Sequence, residues 1–169
     1  MGNIQIRLRA LEPEDLDFLY EMENDEDLWG VGCTNVPYSR QMLLDYITTA
    51  TADIYVDKQV RMMMENEHGE VVGMIDLMNF DPRHLRAELG IVVKKEFCGK
   101  GIATSAIRHL QQYAKNVLHL HQIYAIVAEN NKNAIKMLKG VGFQGDKLLK
   151  GWLNEGGEYR DAYFFQSFL

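Results

Sequence analysis

Residues 4–9 (IQIRLR) alternate apolar with polar side chains, the two-residue period of a strand with one buried face. Pro13 then opens an acidic turn, and Leu16, Leu19 and Tyr20 share one face of a helix that the pattern ends near Asn24. Beyond a loop holding Gly30, Gly32 and Pro37, Ser39 is placed to cap a second helix, because Leu43, Tyr46, Ile47 and Ala50 recur at i, i+3, i+4 and i+7. From Val60 the period shortens again. Apolar runs on either side of residues 66–70 predict a hairpin, and residues 86–93 (RAELGIVV) add a strand after the Asp81-Pro82 break. The glycine-punctuated CGKGIA leads into Ala103, Ala106, Ile107, Leu110, Ala114 and Val117, which hold helical spacing. Residues 122–127 read as a strand, 131–141 as a helix ended by Gly142, and two last strands flank 154–157. The order describes an α/β fold: a mixed sheet with helices on both faces.

Composition narrows the classes. A chain of 169 residues, 47% apolar and 25% charged, is sized and mixed for one folded domain over 1–169, not for a disordered or low-complexity segment. Eighteen basic against 24 acidic side chains leave a net charge of -6, which argues against nucleic acid as the main partner. Acidic residues crowd the first helix and its exit, from Glu12 to Asp27, and would attract a cationic ligand; the plainer reading is a solvated face with acid near a helix N-terminus. Cys33 and Cys98 have no Cys-x-x-Cys or His pattern around them, so no metal site and a reducing compartment are expected. Arg7 and Arg9 interrupt the apolar run at the amino end, and Ile6 stands where a myristoylation site needs Ser or Thr. A soluble, cytoplasmic protein without a membrane partner is the expectation.

The segment 92–104 (VVKKEFCGKGIAT) concentrates the candidate chemistry, because glycines fall where a strand gives way to a helix. Gly99 and Gly101 leave the main chain uncovered, so N–H groups can face a phosphate while the helix end adds partial positive charge and Lys100 a mobile cation. Cys98-Gly99-Lys100-Gly101-Ile102-Ala103 resembles the pyrophosphate loop of the GNAT superfamily of acetyl-CoA-dependent N-acetyltransferases, with Cys98 where Arg or Gln is usual. Asn131-Lys132-Asn133-Ala134, followed by Gly142-Phe143, resembles that family's second signature. RLRALEPEDLDFLYEMEND, RAELGIVV and EGGEYRDAYFF are similar to a branch holding spermidine and ribosomal-protein alanine acetyltransferases.

The resemblance implies a mostly antiparallel sheet with one diverging strand pair. It implies acetyl-CoA as co-substrate, held by Ile91, Val92 and Val93, by the 98–103 loop and by Asn131. The implied reaction is acetyl transfer to a primary amine, either a polyamine-like small molecule or a protein amino terminus; association into a homo-oligomer is left open. Glu88 matches a glutamate found in this branch and is the expected general base, the alternative being a surface glutamate paired with Arg86 or Arg83. Leu138 occupies the position where the family commonly has a proton-donating tyrosine. Tyr159 is the expected replacement, with Tyr124, Tyr163 and water as alternatives. Should none serve, the chain is a catalytically weak acetyl-CoA-binding sensor or partner-binding module.

Overall fold

The turn at 66–70 closes as its residues imply: Asn66 Oδ1 accepts from the N–H groups of His68 and Glu70, each at 3.0 Å. It joins β2 (Val60–Glu65) to β3 (Val71–Asp81). The structure, a computed structural model, describes residues 5–29 and 36–169. The remaining strands are β1 (Arg7–Ala10), β4 (Arg86–Val93), β5 (Gln122–Ala128), β6 (Gln144–Glu155) and β7 (Glu158–Phe168). Together they form one seven-stranded sheet in the order β1-β2-β3-β4-β5-β7-β6. All neighbours run antiparallel except β4 and β5, which are parallel and joined through a helix, as a parallel pair requires.

Six helices are described: α1 (Leu16–Glu23), α2 (Glu26–Trp29), α3 (Arg40–Thr49), α4 (Ile54–Asp57), α5 (Ile102–Asn116) and α6 (Lys132–Gly140). Ser39 caps α3, its Oγ accepting from the Met42 N–H at 3.1 Å. The sequence pattern misses α2 and α4, four residues each, because a single turn has no periodicity to read; α4 is nucleated by the Asp53 side chain accepting from the Tyr55 N–H. The first strand begins at Arg7, later than alternation predicted, because pairing to β2 begins at Arg7↔Glu65. Gly30, Gly32 and Cys33 lie outside the described residues.

Alternation along the strands sorts side chains to two layers. Met63 and Met74 pack with Leu19 and Met22 of α1 and Leu43 of α3, while Met64, Ile75, Ala87 and Leu89 pack with Ala106, Ile107, Leu110 and Ala114 of α5. Each buried Leu, Ile or Met among them contributes about 1.5–3 kcal/mol, so the two layers fix the sheet between α1/α3 and α5/α6. Polar ties add direction. Arg61 on β2 bridges Asp76 on β3, at 2.8 Å, and Glu23 at the end of α1, at 2.6 Å. Arg9 on β1 grips Asp15, just before α1, at 2.8 and 2.9 Å, and Asp15 also accepts from the Glu12 N–H.

Burial by itself would raise the Asp15 pKa, yet Arg9 and the Glu12 N–H together hold it below its ordinary value. A carboxyl with a depressed folded-state pKa adds stability that is complete above its unfolded value, about pH 4, and fades as pH falls through the folded value. Asp15→Asn should therefore be less stable than the parent at pH 7 in urea denaturation, with the gap closing as pH drops below about 4. A gap of constant size down to acid unfolding would contradict this ion pair's role.

Candidate functional site

β4 and β5 share only the rungs Arg86↔Gln122, Ala87↔Ile123 and Glu88↔Tyr124. Beyond them β4 follows β3 as far as Val93 and β5 follows β7 as far as Ala128, so the two parallel strands part. The β3–β4 register shifts between Met78 and Asp81, opposite these rungs, where Asn79 takes a left-handed φ of 52°; such a bulge bends a strand and sharpens its twist.

Main-chain directions follow from two bonds. The Leu85 carbonyl accepts from the His121 N–H at 2.7 Å, toward β5, and the Lys94 N–H donates to the Val72 carbonyl at 2.9 Å, toward β3. Successive residues of an extended strand alternate, so Ile91 and Val93 turn their N–H and C=O into the gap. Val92 departs from expectation: its main chain faces β3 and its side chain packs against the α1/α3 cluster.

The gap leads to the glycine loop. After a tight helical turn at Lys95–Phe97, Gly99 and Gly101 adopt φ of +76° and +81°, conformations costly to any residue with a Cβ. Gly101 is the N-cap of α5, whose first turn has neither a side-chain cap nor an acidic residue, so its leading N–H groups stay available to an anion. Lys100 rests its ammonium 5.2 Å from the centre of the Phe97 ring. The exposed Cys98 thiol donates back to the carbonyls of Val93 and Lys94, at 3.6 and 3.5 Å, and so adds nothing to the donors of the loop. Asn131 caps α6, its Oδ1 accepting from the Ala134 N–H at 3.1 Å, which leaves its amide nitrogen as the group able to meet a ligand.

Glu88 sits at the vertex of the fork. Asn79 Nδ2 donates to its Oε2 at 2.8 Å. Arg86 pairs instead with Asp81, at 3.1 Å, and the Arg83 main chain donates to the same carboxylate, so the alternative of an Arg86–Glu88 or Arg83–Glu88 pair is not what forms. Across the last rung Tyr124 is the direct neighbour of Glu88; burial, then the charge of Glu88, raise its pKa above the ordinary tyrosine value. Its ring stacks on Phe164 at 5.4 Å, and the two line a cavity of about 270 Å³ with Arg86, Gln122 and Gln166.

The other tyrosines and Leu138 fall elsewhere. Tyr159 is 72% exposed and pairs with Asn154 beside the β6–β7 turn. Gln166 is the β7 partner of Tyr124, and Tyr159 lies seven residues from it, about 23 Å at about 3.3 Å per residue, so the structure does not bring Tyr159 together with Glu88. Tyr163 packs with Phe165 on the α5/α6 layer, and Leu138, 2% exposed, belongs to that core. Sequence reasoning missed Asn79; an asparagine inside a strand pattern, a residue tolerant of left-handed backbone, was the available signal. A larger cleft of about 1030 Å³ follows the outer edge of β1, past Leu8, Tyr46 and His109, on the far side of the sheet from the fork, and holds none of the expected site residues.

The profile of a family described as acetyltransferase (GNAT) domain matches residues 5–144. The spermidine N(1)-acetyltransferase of Escherichia coli (strain K12) is 30% identical over 159 residues, 93% of this chain and 82% of that enzyme. A putative ribosomal N-acetyltransferase, YdaF, of Bacillus subtilis (strain 168) is 30% identical over 167 residues, 96% of this chain and 91% of that one. The crystal structure of spermidine N-acetyltransferase from Vibrio cholerae in complex with CoA and spermine superposes with a TM-score of 0.86 at 27% identity, covering 97% of this chain and 95% of that one.

Proposed function

The chain belongs to the acetyltransferase (GNAT) domain family, an N-acetyltransferase with acetyl-CoA as co-substrate, and on that premise we propose that it acetylates a polyamine-like primary amine by direct attack on the thioester. One observation carries this reading: an open main-chain edge runs from a carboxylate at the vertex of the β4/β5 fork directly into an anion-receptive glycine loop. Ile91 and Val93 would pair with the pantetheine arm as with an added strand. N–H groups of 99–103 would take the pyrophosphate, with the Asn131 amide beside them. The thioester then lies toward Glu88, which accepts the proton that the amine nitrogen sheds.

A cationic acceptor suits both the net charge of -6 and the carboxylates of α1 and α2. The same reading sets the reaction in the cytoplasm; among the described residues no helix is long and apolar enough to cross a membrane. Incubation with acetyl-CoA and a panel of polyamines and Ala- or Ser-starting peptides, following free thiol, tests the assignment. Thiol release with a polyamine is expected; acetyl-CoA binding without release from any amine would replace the enzyme by a sensor or partner-binding module.

Two variants probe the halves of the site. Gly101→Val places a β-branched residue at φ +81° and covers the loop, so acetyl-CoA affinity by calorimetry should fall at least about tenfold, roughly 1.4 kcal/mol, in a protein that remains folded by circular dichroism. Cys98→Ala should leave the affinity unchanged, and a folded Gly101→Val protein of parental affinity would move the cofactor away from this loop. Glu88→Gln should lower turnover by about 10²–10⁴-fold at neutral pH with acetyl-CoA affinity intact, recovering in part at higher pH as solvent base takes over. A pH–rate profile that overlays the parent would end the general-base role.

A further inference from the structure

We propose that Tyr124 protonates the CoA thiolate as it leaves and is recharged by Glu88, the two forming a closed proton relay at the vertex of the β4/β5 fork. This inference rests on the acetyl-transfer reading and extends it to the second proton of the reaction.

The placement is what carries it. Tyr124 is level with Glu88 on the last rung the two strands share, so its phenol and the carboxylate emerge side by side where the gap opens. Asn79 holds the carboxylate from the β3 side, and Phe164 stacks under the Tyr124 ring, which limits the ring's freedom to turn away. Among the described residues no other tyrosine is at the fork. Tyr20, Tyr38 and Tyr46 pack in the α1/α3 layer, Tyr55 against Phe80, and Tyr113 lies on α5 beside the β1 cleft. Tyr163 faces the α5/α6 core, and Tyr159 is out on the β6–β7 hairpin. The charged groups acting on the phenol are Glu88 and Asp81, which keep the proton on, and Arg86, which acts the other way; Gln122 and Gln166 complete the cavity as neutral side chains.

The relay balances. The acceptor attacks as a neutral amine, forming the N–C bond and pushing the carbonyl electrons onto oxygen. Nitrogen sheds one proton to Glu88. As the carbonyl re-forms, the C–S bond breaks with its electron pair on sulfur, and the Tyr124 hydroxyl gives its proton to that sulfur. The protonated Glu88 then returns a proton to the neighbouring phenolate, and the pair ends as it began, with amide and free thiol as products. A phenol carries its proton at neutral pH, and a thiolate forming beside it is a base able to take that proton at the instant of departure.

Tyr124→Phe keeps the ring and its stacking partner and removes the proton. Turnover with the best polyamine acceptor should fall by about 10²–10³-fold, while calorimetric acetyl-CoA affinity and the KM for the amine stay within about twofold. The sharper readout replaces Tyr124 by 3,5-difluorotyrosine, whose phenol is far more acidic. The alkaline limb of the turnover profile should then move to lower pH, which a structural role for the hydroxyl would not cause. If the parent turns over polyamines and Tyr124→Phe does so equally, or the limb stays in place in the fluorinated protein, the relay is overturned and acetyl transfer stands. If the parent binds acetyl-CoA but acetylates no amine, the underlying reading fails and the relay with it.

Discussion

The early parting of two parallel strands is the constraint on which the rest of the structure depends. A strand buried in a sheet normally satisfies its main-chain N–H and C=O groups on both sides, because leaving them unpaired away from water is costly. β4 does so only as far as Glu88, and from there to Val93 one edge is left to whatever enters the gap. Each strand keeps its other partner over its whole length, β3 for β4 and β7 for β5, so the sheet stays continuous while the gap widens. The chemistry is distributed accordingly: a carboxylate and a phenol at the vertex, main-chain donors and acceptors along the wall, and a helix N-terminus behind glycines at the open end.

Such a gap persists only if both walls are stiff. Apolar layers on the two faces of the sheet supply most of that stiffness, with Met63 and Met64 pointing to opposite sides from adjacent positions, both fully buried. The Arg61 bridge to Asp76 and Glu23 ties the end of α1 to the face of the sheet that carries Glu88 and Tyr124. Burial would depress the Arg61 pKa; the hydrogen bond to Asp76 and the neighbouring charges more than offset it, so the guanidinium stays charged. Removing one partner leaves a partly buried charge without its match, so the tie is more a guard of geometry than a source of net stability.

What could be read from the residues divides along the same line. The strand at 86–93, the glycine loop and the helix that follows it were legible because their periods and their φ-positive glycines are local properties. Glu88 was legible as a candidate, since a carboxylate inside a strand invites a reason. The fork itself was not, because parting is decided by which partner each strand follows and by the bulge at Asn79, neither written in the local pattern. Two further placements depend on that. Alternation turns the main chain of Val92 to β3 while its neighbours Ile91 and Val93 face the gap, and only the pairing registers reveal how far out on the hairpin Tyr159 lies. Leu138 could have been placed in the core from its helical face alone, as the structure places it.

The central claim is that the open edge of β4 receives acetyl-CoA, and residue-resolved amide hydrogen exchange by NMR tests it most directly. On adding acetyl-CoA, the amides of Ile91 and Val93 should become markedly slower to exchange, whereas that of Val92, already turned to β3, should change little. Unchanged Ile91 and Val93 amides, with new protection appearing instead along β1 and its neighbouring cleft, would contradict the account.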